Sequence, residues 1–382
     1  MKRMVVLIGS VVIIMMVLVS CANTGKESLE PPVDTEQKLD SGAVDDAKYE
    51  SVYDMAFASF LPDTVMIQAG DLDVTWAELF VSMRSMVGRL SEHYGDEPID
   101  WLGPWDDDRT VAEWLLQYVK GSVLSAKALE YGAKLHGIAL SEEDWAVIRE
   151  ENNRLEADWG GEEAFLKMIW EENGFYSLAL YEYMKSFNRL SELLLSKLYG
   201  EEMERVPDED VEEFIAGNGF IMAKHIVLFK PEYGGSEDVL ERIEEIQIKL
   251  GTYIGEDFDA YFDELMSTYS EDVEGYETYP QGFLFLYGDL TQYFYEAAVS
   301  LEINETSEIV EGEDGYHIIY RIPINYDVVP FSLYQQQDYR TLRMLTALEK
   351  FELLLAGWLD MLAPEFTDAF ESIDIREMFK RA

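Results

Sequence analysis

Cysteine is almost absent from this chain, with one thiol, Cys21, in 382 residues. A lone thiol closes no internal disulfide, so the folded parts must be held by their cores. Basic side chains are also few, 29 Lys and Arg against 76 Asp and Glu, for a net charge of -47. A field of that sign repels nucleic acid and anionic headgroups and keeps the molecule in solution, so no nucleic-acid partner is expected. The acidic runs Asp106-Asp107-Asp108 and Glu142-Glu143-Asp144 lack the spaced ligands and central glycine of a calcium loop, and no metal is assigned. Neither His-Glu-x-x-His nor Gly-x-Ser-x-Gly occurs, which leaves protease and hydrolase readings without support. Repeated strand-helix units, which a two-lobed solute-binding protein would need, are missing as well.

Long apolar runs are equally scarce. The one at the start, Met4 to Val19, follows Met1-Lys2-Arg3 and ends at Ser20-Cys21. A basic head, an apolar stretch too short for a spanning helix of about 20 residues and a small residue before cysteine make an export signal over 1–20. Leu18-Val19-Ser20-Cys21 is similar to a bacterial lipobox, which implies lipidation of Cys21 and anchorage at the extracytoplasmic face of the cell membrane. The other reading is an uncleaved anchor. Loss of residues 1–20 removes Lys2 and Arg3 and no acid, moving the net charge from -47 to -49. Residues 21–48 hold Pro31-Pro32 among Thr, Ser, Glu and Asp without apolar periodicity, the composition of a solvated tether.

From about Tyr49 to 205 the pattern is helical after a short hairpin, Thr64 to Ile67 turning at Ala69-Gly70-Asp71 into Asp73-Val74. Thr75-x-x-Glu78 and Ser141-x-x-Asp144 open helices as capping boxes. Val111, Leu115, Tyr118 and Val119 share one helical face, as do Leu178, Tyr181, Met184, Phe187, Leu190 and Leu194. Seven of the eight tryptophans precede Glu171, and they read either as core or as an exposed client-binding surface.

Two of only four histidines occupy short aliphatic runs about ninety residues apart, Ala223-Lys224-His225-Ile226-Val227-Leu228 and Gly315-Tyr316-His317-Ile318-Ile319-Tyr320. Both runs read as strands. Between them stand Ser270-Glu271-Asp272, Gly282-Phe283-Leu284-Phe285, Leu290 with Phe294, and Asn304-Glu305-Thr306-Ser307, in that order. This succession resembles the parvulin family of peptidyl-prolyl isomerases. The resemblance implies that His225 and His317 are tandem histidines at the centre of an antiparallel sheet, that Asp272 faces the isomerising bond, and that Leu290 and Phe294 wall the proline slot. Where many members carry Gly-Gly-Asp-Leu-Gly, this chain has Thr278-Tyr279-Pro280-Gln281-Gly282, so the polar Gln281 takes the place of a pocket leucine. Asp314 stands before Gly315 where some members have a hydroxyl residue. Rotation about a peptide bond meets a barrier of about 18 to 20 kcal/mol without breaking a covalent bond, so the chemistry calls for an apolar slot and polar groups but no cofactor.

After Pro330 a helix is predicted over Ser332 to Leu362, at about 45 Å too long for a small isomerase domain. The organisation resembles foldases of the PrsA and SurA type. The expected fold class is α+β, a mainly helical chaperone domain built from residues 49–205 and 326–382 with a parvulin-like domain, 206–325, inserted as a small antiparallel sheet among helices. The resemblance implies an exported, membrane-anchored isomerase that acts on unfolded or partly folded secreted polypeptides. The alternative is a chaperone with a binding-only parvulin-like domain.

Overall fold

The structure, a computed structural model, describes residues 51–95, 97–231 and 237–380. Cys21 and the expected export signal and tether lie outside the described residues. The chain divides into two compact units, one ending at Leu198 and resuming at Glu349, the other running from Tyr199 to Leu348.

The first unit is helical with a minor sheet. Its elements are α1 (Val52–Phe57), β1 (Val65–Gln68), β2 (Val74–Thr75), α2 (Trp76–Tyr94), α3 (Val111–Leu135), α4 (Glu142–Trp159), α5 (Glu162–Asn173) and α6 (Leu178–Tyr199). The two predicted capping boxes are both formed, at Thr75 with Glu78 and at Ser141 with Asp144. The start of each helix therefore follows from its own residues, since the side chains satisfy backbone N–H groups that the first turn leaves open. Trp76, Phe80, Leu115 and Val119 form a core that also takes in Phe370, Ile375 and Phe379 from the C-terminal end of the chain. Trp101 donates its indole N–H to the Phe379 carbonyl at 3.0 Å. Lys127 and Glu78, both buried, pair at 2.6 Å, and Lys127 also donates to the Tyr183 hydroxyl at 2.8 Å. Trp76, Trp101 and Trp358 are core residues, while Trp105 and Trp159 are exposed.

The second unit runs through α7 (Asp208–Asn218), β3 (Ile221–Phe229), α8 (Glu237–Thr252), α9 (Phe258–Tyr269), α10 (Val273–Thr278), β4 (Phe283–Phe285), α11 (Gln292–Ser300), β5 (Val310–Glu311), β6 (Gly315–Arg321) and α12 (Phe331–Gln335). Its four strands lie antiparallel in the order β4-β3-β6-β5. Strand side chains alternate between faces. Met222, Ile226 and Leu228, with Tyr316, Ile318 and Tyr320, therefore meet Ile243 of α8 and Phe262 and Leu265 of α9. The opposite face sets Ile221, Ala223 and Ile319 against Phe283, Phe285, Phe294 and Ala298. Gly315 sits where β6 passes close to β3: a Cβ there would come within 2.5 Å of the Leu228 carbonyl oxygen. The close passage explains the glycine in Gly-Tyr-His.

The helix predicted over Ser332 to Leu362 is two helices. α12 stops at Gln335, Gln337 takes a left-handed backbone with φ 59°, and α13 (Leu342–Leu362) begins only after the Asp338–Arg340 ion pair. No proline marks the break; the local ion pair and one left-handed residue make it. With 21 residues α13 is about 32 Å long. Its residues through Leu348 belong to the second unit and the rest to the first, where β7 (Glu365–Phe366), α14 (Asp368–Glu371) and α15 (Ile375–Met378) follow. β7 completes a sheet in the order β2-β1-β7, pairing Phe366 with Ile67. Overall the fold is α+β, mostly helical with small antiparallel sheets.

Candidate functional site

The site lies on the face of the second unit's sheet that carries odd-numbered residues of β3 and β6. In the register of these strands His225 stands opposite Ile319 and Val227 opposite His317, so the two histidines are diagonal neighbours on one face. Their Nδ1 atoms are 3.4 Å apart. The ring centres lie 5.6 Å apart with the planes 22° from parallel. The centre separation exceeds the N···N distance by about the width of an imidazole, so the rings meet edge to edge rather than stack.

Asp272 reaches this pair through an extension of the β3 edge. Beyond the reach of β4, Val227 donates its N–H to Ser270 Oγ at 3.2 Å, and its carbonyl accepts from Glu271 N–H at 2.9 Å. The Ser-Glu-Asp run is thereby tied to the strand. Asp272 caps α10, accepting the Gly275 N–H on Oδ1 at 3.0 Å, and its Oδ2 lies 3.0 Å from His225 Nε2. The hydrogen bond from His225 holds the Asp272 carboxyl below the usual range, against the opposing effect of burial.

A second carboxylate faces the other histidine. His317 Nε2 is 3.2 Å from Asp314 Oδ1, and the Tyr293 hydroxyl donates to that same oxygen at 2.6 Å while lying 3.4 Å from His317 Nε2. Burial pushes the Asp314 carboxyl up, but the hydrogen bonds from Tyr293 and His317 outweigh it and leave the group below its ordinary value. His317 is buried at 3% exposure, and burial, seconded by the neighbouring His225, lowers its pKa. Tyr293 was not anticipated from the sequence. Its only signal is adjacency to Phe294 on the same short helix.

Phe294 and Phe283 both present ring edges to His225, with centres 5.3 and 5.4 Å away. Phe294 also lies edge-on to His317 at 6.4 Å. Leu290 is half-buried against the same apolar cluster. It does not share a helix with Phe294, because α11 starts only at Gln292 with Thr291 as its cap. Leu290 joins the cluster that holds Phe294 from the bend before that helix.

Gln281 is not brought to this group. It accepts a hydrogen bond from Asn325 Nδ2 at 2.6 Å and lines a cavity of about 500 Å³ with Met222 and Lys224, whose side chains alternate with that of His225. The Lys224 ammonium in that cavity is buried and pairs with Asp259 at 3.0 Å and Asp263 at 2.7 Å. The structure thus gathers His225, Asp272, His317, Leu290 and Phe294 and leaves Gln281 apart. The gathered residues put an apolar surface beside an ionised, hydrogen-bonded polar row. That combination suits binding of an uncharged ring next to a polarisable amide, and it contains no nucleophile poised beside a base.

The chain is 35% identical over 134 residues to the foldase protein PrsA of Halalkalibacterium halodurans. Over those residues it is similar to a PrsA foldase. The match takes in 34% of this chain and 35% of that protein, so the chain spans about a third of the length of the curated relative it matches. No family model matches. Solved structures similar to it include PrsA peptidylprolyl isomerase from Bacillus anthracis, with 21% identity and a TM-score of 0.22 over 63% of this chain and 97% of that one. PrsA from Bacillus subtilis gives 18% and 0.24 over 84% and 100%. That from Bacillus cereus gives 16% and 0.29 over 84% and 98%.

Proposed function

We propose that this PrsA relative is an exported foldase that catalyses cis-trans isomerisation of Xaa-Pro bonds in unfolded or partly folded secreted polypeptides. The observation that carries the reading is the meeting of Asp272, His225 and His317 beside Phe294 and Leu290 on one sheet face. A twisted prolyl amide needs its ring held and its planar form disfavoured, and binding that is stronger for the twisted state is what speeds rotation. In this reading Leu290 and Phe294 hold the ring, Asp272 faces the bond, and the histidine pair keeps Asp272 ionised and in place. No cofactor takes part.

The unit from Tyr199 to Leu348 carries the parvulin-like domain, inserted between two parts of one helical chaperone domain that holds clients. Cys21 bears the lipid that fixes the mature chain to the outer face of the membrane. A second reading is favoured by the position of Gln281: with the usual pocket leucine replaced and the side chain turned to the cavity that Lys224 lines, the domain binds segments without accelerating their isomerisation.

The test is the cis/trans exchange rate of a panel of short Xaa-Pro peptides, measured by NMR exchange with the protein and with its His225→Ala and Asp272→Ala forms. Acceleration that both substitutions reduce in a folded chain supports the isomerase. Exchange at the uncatalysed rate for every peptide, with peptide binding retained, would leave the binding-only reading.

A further inference from the structure

We infer that Asp314 is a positioning residue which, together with Asp272, fixes both imidazoles as Nε2–H donors, so that His225 and His317 act as one unit sharing a single proton between their Nδ1 atoms. Its consequence for catalysis rests on the isomerase reading. The proton arrangement rests on the contacts alone.

Carboxylates held ionised only accept hydrogen bonds, so a ring nitrogen facing one must carry the proton. His225 Nε2 faces Asp272 Oδ2 at 3.0 Å and His317 Nε2 faces Asp314 Oδ1 at 3.2 Å. The tyrosine beside them does not change that assignment. Its one hydroxyl proton goes to Asp314 at 2.6 Å, leaving only its oxygen lone pairs for His317 Nε2 at 3.4 Å. With both Nε2 positions protonated, neutral imidazoles would direct two Nδ1 lone pairs at each other across 3.4 Å in nearly coplanar rings. Such an edge-to-edge approach is repulsive when empty and attractive when one proton lies between the nitrogens.

The surroundings favour one proton and resist two. Ionised groups face the pair from both ends, Asp272 at the start of α10 and Asp314 in the turn before β6, so one positive charge between them is stabilised. From α11 come Tyr293 and the uncharged Phe294, and from β4 the uncharged Phe283. Lys230, paired with Glu311 at 2.8 Å, and Glu313 stand at the Asp314 end, with opposite signs. A second proton meets the burial of His317 and the charge of the first, both of which lower the affinity of His317 for it. Two interacting sites of this kind titrate as a pair.

The experiment uses the full chain in detergent micelles with 15N-labelled histidine, followed by long-range proton-nitrogen correlation across pH. Only four histidines contribute, and His93 and His136 serve as references for the fold. The expected result is protonated Nε2 in both His225 and His317, with the two rings changing together in one step as the shared proton is lost. Asp314→Asn should lower the midpoint of that step by about one pH unit, because an anion beside the imidazolium is gone. Asp314→Glu should restore most of the shift. Should the chain accelerate prolyl exchange, its pH profile will move with the NMR midpoint. An unprotonated Nε2 on His317, separate midpoints for the two rings in the unsubstituted protein, or an unmoved midpoint in folded Asp314→Asn would each overturn the inference. Absence of exchange acceleration with the common step intact would sink the isomerase reading and leave the shared proton standing.

Discussion

Asp272 approaches His225 from outside the paired strands, its Oδ2 3.0 Å from the imidazole Nε2, while its other oxygen caps the helix that follows. One side chain thus closes a turn and orients a ring. Asp272→Ala is expected to remove exchange acceleration and to cost about 1.5 to 3 kcal/mol for the lost charged hydrogen bond, at the lower end because the carboxylate is partly in water. Asp272→Asn keeps the shape and should be milder in urea unfolding yet equally slow in exchange. If Asp272→Asn matched the parent rate, the charge would have no part in the chemistry.

Phe294 is buried at 4% exposure and touches both histidines. Phe294→Ala should destabilise the second unit by about 3 to 5 kcal/mol through the cavity it opens. Phe294→Leu should stay folded and weaken binding of proline-containing peptides more than binding of matched alanine peptides. Equal loss for both peptide classes would show that the ring does not line a proline slot.

Once the proton shared by His225 and His317 is in place, further acidification should destabilise the second unit in two stages. His317 has a folded pKa below its ordinary value of 6.5, so its contribution is complete above that value and is lost as pH falls through the lower folded value. Asp272 and Asp314 are also lowered, from 3.8, so their contribution is complete above 3.8 and is lost as they protonate in the folded state at still lower pH. All three effects have the same sign. Urea midpoints that rose on acidification below the common step of the histidine pair would contradict the assignment for His317.

Two glycines of α3 should respond in opposite directions to alanine. At Gly132 a Cβ would fall 2.2 Å from the Trp358 ring, whereas at Gly121 nothing lies within 4 Å. Gly132→Ala should cost about 1 to 3 kcal/mol by overpacking, and Gly121→Ala should gain up to about 1 kcal/mol in helix propensity. Thermal unfolding of both variants checks the difference. A neutral Gly132→Ala would mean that Trp358 has room to withdraw.

Local features were legible in the residues. The capping pairs Thr75 with Glu78 and Ser141 with Asp144 start their helices because a hydroxyl and a carboxylate three residues apart can only serve that first turn well. The alternation around His225 and His317 likewise sets each histidine on one face of its own strand, since the strand period is two. The break between α12 and α13 was not legible. A left-handed backbone at Gln337 leaves no mark as plain as a proline.

What the sequence alone determined was the local order: strand or helix, cap or turn, and which side chains share a face. Only the tertiary structure decided register and company. It set Val227 opposite His317, so that the two histidines meet Nδ1 to Nδ1, and it brought Tyr293 and Asp314 to the far side of His317 while turning Gln281 toward Lys224. The physical reason is range. Propensity and periodicity act over a few residues, whereas a register between strands about ninety residues apart is selected by the packing of both sheet faces at once.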